Sequence, residues 1–224
     1  MDRSIVATTN AFLGQDYWEF FSNPSSSPEL VVAMMREMML EIWFYQRSIN
    51  ESILHAIGRK GRLIDEHPIV QAMLAVQLGN TDDGAIALED YVTLGGDRDS
   101  AINQRPSPSA LVLMGTVNYL AEHADPLCCL GCLYFLEKSA EITIAAVEPV
   151  LARAGYPRQR LRFLQSHLNK KVSRVSLLVD VIASCEEKYD HAAESIYYGF
   201  QCLGQVYPHP LWNSAFERAV GTDS

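Results

Sequence analysis

Residues 126–136, "PLCCLGCLYFL", are apolar on every side of a helix. Such a helix has no face to give to water, so it belongs at the centre of a bundle. A second segment, "VVAMMREMMLEIWFY" at residues 31–45, is almost as apolar and needs the same cover. No run of alternating β-branched residues bounded by turns competes with these helices. The expectation is an all-α fold of about seven helices around two buried ones.

Helix boundaries are marked by caps. A Ser followed by Pro at the first helical position marks starts at Ser27 and Ser107, and Asp125 before Pro126 marks a third. The helix from Ser27 runs to the glycines of "IGRKGR". The helix from Asp125 runs to Gly155, with Pro149 expected to kink or break it. "YPRQRL" opens a helix over 163–182, and "CEEKYDHAAES" separates it from a last helix at about 190–203. Residues 67–94 are helical in pattern, interrupted near "GNTDD" and Gly84. A helix through "NAFLGQDYWEFF" is weaker in pattern. The longest loop is "GGDRDSAINQRPSPS". No composition break or internal repeat divides the chain, so a single domain over 1–224 is expected.

With 18 Lys+Arg against 27 Asp+Glu, the net charge of -9 argues against a general nucleic-acid binder. No apolar run approaches the roughly 20 residues that span a bilayer, and no long apolar segment follows the first Met. A cytoplasmic protein without membrane contact is the expectation. The five cysteines are odd in number and scattered, which gives no disulfide framework. Cys129 and Cys132 form a Cys-x-x-Cys pair, but no second pair completes a zinc site. Buried packing cysteines are the simpler reading.

In "FLQSHLNKKVSRVSLLVDVI", His167, Lys171 and Arg174 follow one another at spacings of four and three. At about 100° per residue they share an arc with Phe163, Leu164, Leu178, Val181 and Ile182. Gln165, Asn169, Ser173, Ser176 and Asp180 take the opposite side. The basic stripe therefore faces the core, unless Lys171 and Arg174 snorkel from its edge. Two inward cations need acidic partners. Glu137 shares its arc with Leu130, Leu133, Ala140 and Ile144, although at the edge of that face it would reach water. Glu41 is a weaker candidate. Asp82, Asp83, Glu89 and Asp90 are further carboxylates among which pattern does not choose.

"DDGAIALEDYVTLGGD", "RPSPSALVLMG", "DPLCCLGCLYFLE" and "FLQSHLNKKVSR", in that order, resemble the heme-oxygenase-like superfamily over residues 31–203. The nearest likeness is to its non-haem iron oxidases and oxygenases. That resemblance implies a helical bundle with two irons in its core. Their ligands are a Glu shortly before a His in the second long helix, a Glu in the middle helix, and a later His-x-x-x-Asp-x-x-His. Glu137 and His167 keep the family's residue type. Lys171 stands where Asp is expected, Arg174 where the second His is expected, and Asp83 aligns with the His of the second long helix. The preceding Glu falls at Asn80 or Val76. The resemblance thus implies the fold with a degenerate metal site. Side-chain cations would replace metal cations, with no metal and no cofactor.

Three functions follow as expectations. The first is a metal-independent enzyme of small-molecule metabolism, natural-product metabolism included. Metal-free relatives such as pyrroloquinoline quinone synthase and thiaminase-type proteins resemble this fold. Its substrate would be a small anionic metabolite held by Lys171, Arg174 and Asp83, with His167 and Glu137 moving protons. The second is a non-catalytic partner or regulator of an active paralogue. The third is an iron oxidase with altered ligands. A homodimer is implied by the resemblance alone.

Overall fold

A computed structural model of the chain describes residues 1–60, 73, 74, 77, 83–168 and 174–221. Among these the fold is all-α, without strands, in eleven α-helices. They are α1 (Asp2–Leu13), α2 (Asp16–Ser22), α3 (Pro28–Lys60), α4 (Asp83–Thr93), α5 (Arg98–Asn103), α6 (Pro108–His123), α7 (Cys128–Arg153), α8 (Arg162–Leu168), α9 (Arg174–Lys188), α10 (Ala192–Val206) and α11 (His209–Val220), with one 3₁₀ turn at Arg158–Arg160. Buried apolar residues from Ile5 to Ala215 form one cluster.

The two apolar helices are central. α3 packs against α4, α6 and α11, while α7 packs most closely against α10. The α7–α10 approach depends on two glycines. A Cβ at Gly131 would lie 1.9 Å from the Ile196 carbonyl oxygen, and one at Gly199 would lie 2.0 Å from that of Cys128. With both side chains absent, Cys132 Sγ reaches the Gly199 carbonyl oxygen at 3.4 Å. "CCLGC" is therefore a close-packing element. Its thiols are free and buried, and burial pushes Cys129 up to about 12 and Cys132 well above its ordinary value. Neither offers a thiolate for redox or metal chemistry.

Several boundaries differ from the sequence reading. Gly14 ends α1, so the N-terminal segment is two helices. α5 lies inside the expected long loop, where Asp97 caps it by accepting from the Ser100 N–H at 2.8 Å. α7 starts at Cys128: Asp125 Oδ1 accepts the Leu127 N–H at 2.9 Å as a cap would, but the turn that follows closes with tighter bonds between residues three apart, such as Cys128 N–H to the Asp125 carbonyl at 2.9 Å. Pro149 does not break α7; only one turn follows it, to Arg153. α11 is a full extra helix. It begins after Pro208 and ends on Gly221 at φ 73°, in the left-handed region that glycine tolerates. Its Trp212 joins α1 and α2 in an aromatic group, 5.7 Å from Phe12 and 5.6 Å from Trp18 between ring centroids. The expected helix over 163–182 is present as α8 and α9, on either side of residues 169–173. Those residues, and with them Lys171, lie outside the described residues, as do Val76 and Asn80.

Candidate functional site

Asp83, Glu137, His167 and Arg174 come from α4, α7, α8 and α9 and meet in the interior. Arg174 Nη1 donates to Asp83 Oδ2 at 2.9 Å and to Glu137 Oε1 at 3.1 Å. The Asp83, Glu137 and Arg174 side chains are 6%, 11% and 10% exposed. Water therefore screens these charges little, and the guanidinium offsets the cost of burying the two carboxylates.

His167 is held by its own helix. Its Nδ1 lies 2.9 Å from the Phe163 carbonyl oxygen. Ser166 Oγ lies 3.1 Å from the same Nδ1, and because a carbonyl only accepts, the Phe163 bond forms in the tautomer that carries its proton on Nδ1. Nε2 lies 3.9 Å from Asp83 Oδ2. The ring also packs on Phe163, at 4.3 Å between centroids.

α4 positions α8. Asp90, buried on the inner side of α4, accepts the Arg162 N–H at 2.9 Å and the Phe163 N–H at 2.8 Å. It acts as an N-terminal cap for a helix 72 residues further along the chain. Burial nonetheless raises its carboxyl from 3.8 to about 6, against those two hydrogen bonds. Glu89 adds an ion pair to Arg162 on the outside. Of the four acidic residues that pattern could not separate, Asp83 enters the cluster, Asp90 caps α8, Glu89 stays near the surface, and Asp82 lies outside the described residues.

A narrow cavity runs between α3 and α7 beside this cluster. Its volume, measured to water centres, is about 60 Å³, several times what one water needs. Its wall carries Asp83, Glu137 and His167 but, among the described residues, not Arg174, which stands behind the carboxylates. The remaining wall is largely apolar, including Met38, Ile144 and Val147. Tyr45 and Tyr207 complete the polar end. They hydrogen-bond each other, and burial raises both phenols.

Sequence reasoning gave Glu41 little weight and missed its partner. Glu41 is fully buried, accepts from Ser107 Oγ at 2.8 Å and pairs with Arg218 of α11. Arg218 also binds Glu37 Oε2 at 3.1 Å. Burial raises the Glu41 carboxyl, while Arg218 and Ser107 act against that rise. This second ionic cluster ties α11 to α3. The signal for it was the spacing of Leu211, Ala215 and Arg218 after Pro210.

Iron fits this arrangement poorly. A guanidinium is bonded to both carboxylates of the aligned metal site, and a cation there would have to displace a cation. Among the described residues no group of three or more His, Cys, Asp or Glu side chains could hold a metal.

The chain matches no family model and no curated protein. Among solved structures it is similar to a domain of unknown function with a heme oxygenase-like fold from Shewanella denitrificans OS217. The TM-score is 0.81 at 14% identity, over 100% of this chain and 93% of that one. The fold is heme oxygenase-like. None of the described helices is long and apolar enough to cross a membrane.

Proposed function

We propose that the protein is a metal-independent enzyme that binds a small molecule in the α3–α7 cavity and acts on it there. The observation that carries this reading is that Asp83, Glu137 and His167 form part of a cavity wall instead of packing solid. Charged groups cost least when solvated or fully paired. Keeping them beside open space suits a site that must meet a ligand.

In this reading His167 Nε2 takes a proton from the bound molecule. The charge that forms lies 3.9 Å from Asp83, which favours it. Glu137 is the second proton-handling group, and the Arg174 bond at 3.1 Å fixes its position. Arg174 holds three helices in register about the site. Asp90 keeps His167 in place through α8. The reaction belongs to the proton-transfer class, with no resident metal or cofactor assigned a step.

A second reading is a non-catalytic relative in which the Arg174 cluster only holds α4, α7 and α9 together. The ion pairs to both carboxylates suit that role equally well. Retention of small molecules separates the two. Purified protein is equilibrated with a metabolite extract, washed, denatured and analysed by mass spectrometry. The enzyme reading expects a compound retained by the parent and lost in Ala140→Leu, which fills the cavity, and in Glu137→Gln. Thermal melts show that both variants fold. Equal retention by the parent and both folded variants, or none by any, favours the structural role.

A further inference from the structure

A second hollow lies beside the α3–α7 cavity, on the outside of the bundle. It is a groove between α3 and α4, lined by Trp43, Arg47, Leu54, Gly84 and Leu88. Its volume, measured to water centres, is about 350 Å³, well above that of the inner cavity. Among the described residues, Asn50 lines both hollows. Around it the two helices divide. Gln46 of α3 and Asp83 of α4 line the cavity, whereas their chain neighbours Arg47 and Gly84 line the groove. At Asn50 the wall between the hollows is therefore one side chain thick.

Neutral amides hold that part of the wall. Asn50 is buried. Its Oδ1 accepts Gln77 Nε2 at 2.7 Å and Gln46 Nε2 at 3.4 Å. Turning a neutral amide aside breaks hydrogen bonds but leaves no charge behind. The wall behind Asp83 and Glu137 is different. There Arg174 bonds both carboxylates, and opening it would strand buried charges. The backbone adds to the contrast. A Cβ built at Gly84 would lie 3.5 Å from Gln46 Cβ, an ordinary contact. Alanine would fit there and suit a helix better. Glycine leaves a methyl-sized gap between α3 and α4.

Resting on the proposed small-molecule site, we propose that its ligand enters from the groove between α3 and α4, and that Asn50 is the gate. The ligand first meets Trp43 and Leu88 in the groove. It then passes Asn50 and Gln46 on one side and Gly84 on the other, and emerges beside Asp83. The Asn50 amide swings away from Gln77 to let it through and returns afterwards. The role is kinetic. A gate changes the rates of entry and exit together and leaves the affinity of the site as it was.

The probe is hexan-1-ol, titrated into the full chain and followed by NMR of methyl-labelled Met and Ile. Line shapes at Met38 and Ile144, which line the cavity, give its rates of entry and exit. The lock is a disulfide in the double variant Gln46→Cys with Gly84→Cys, for which the 3.5 Å between Cβ positions is suitable. Oxidising this variant should slow entry and exit about tenfold or more relative to its reduced form, with Kd unchanged. The parent under the same oxidant should show no change. Asn50→Ala, which thins the wall, should speed both rates, and it keeps the test decisive if the double variant does not fold. If the oxidised and reduced forms exchange hexan-1-ol equally fast, or Asn50→Ala leaves the rates of the parent, the route is overturned while the small-molecule site stands. If oxidation moves Kd and not the rates, the α3–α4 boundary only shapes the site, and the gate is overturned. If hexan-1-ol shifts no cavity methyl of the parent, the inference falls, and metabolite retention then decides the site by itself.

Discussion

Arg174 and Asp83 are 91 residues apart in sequence and 2.9 Å apart in the fold. The same Arg174 nitrogen reaches Glu137 at 3.1 Å. One cation therefore serves two carboxylates, and the three charges stand or fall together. Arg174→Leu leaves both carboxylates buried without it. We expect a loss of roughly 3–5 kcal/mol, as for other broken buried pairs. Urea melts of Arg174→Leu, Glu137→Leu and the double variant check this. The double variant should be milder than the sum of the singles. Strict additivity would mean the pair does not interact.

Asp90 supplies a pH dependence with an unusual sign. Its carboxyl is raised from 3.8 to about 6 by burial. The folded state then holds the Asp90 proton more tightly than the unfolded chain does. The Asp90 contribution to stability therefore grows as pH falls through 6 and is complete below 3.8. Carbon-13 titration of the Asp90 carboxyl should give a midpoint near 6, and Asp90→Asn should remove this part of the pH profile. A midpoint near 4 would show that the two backbone N–H bonds cancel the effect of burial. Asp90→Ala should also cost about 1–2 kcal/mol as a lost cap.

The glycine contact between α7 and α10 predicts opposite outcomes for two glycines. Gly131→Ala forces its new methyl to within 1.9 Å of the Ile196 backbone carbonyl oxygen and should destabilise by about 3 kcal/mol or more. Gly115 lies within α6, and its Cβ would meet nothing within 4 Å. Gly115→Ala should therefore stabilise by roughly 0.5–1 kcal/mol. Thermal denaturation of both variants gives the comparison directly.

Much of this was legible locally. The arc of Leu130, Leu133, Glu137, Ala140 and Ile144 lies on one helix, so its inward direction follows from period alone. Ser107 was readable as a cap because it binds the N–H of Ala110, three residues on. Arg174 was readable as inward from its own helix face. Asp90 was not readable as a cap, since the N–H groups it binds come from a distant segment. Arg218 was missed because the sequence reading placed the last helix at about 190–203, whereas α11 follows with Pro210 in its first turn.

Metal content offers an independent check. Because Arg174 is bonded to both carboxylates, incubation with ferrous iron, manganese or zinc should leave well under one equivalent per chain after desalting. Elemental analysis showing about two equivalents, lost in Glu137→Ala, would overturn the view that a side-chain cation stands in for metal.

The most direct test of a ligand site at the polar end of the cavity is a crystal structure of the full chain equilibrated with the compound it retains from a metabolite extract. The account predicts density inside the α3–α7 cavity, within hydrogen-bond reach of Asp83, Glu137 or His167. A cavity filled by the Met35, Met38 and Met39 side chains, with the compound elsewhere or absent, would contradict it.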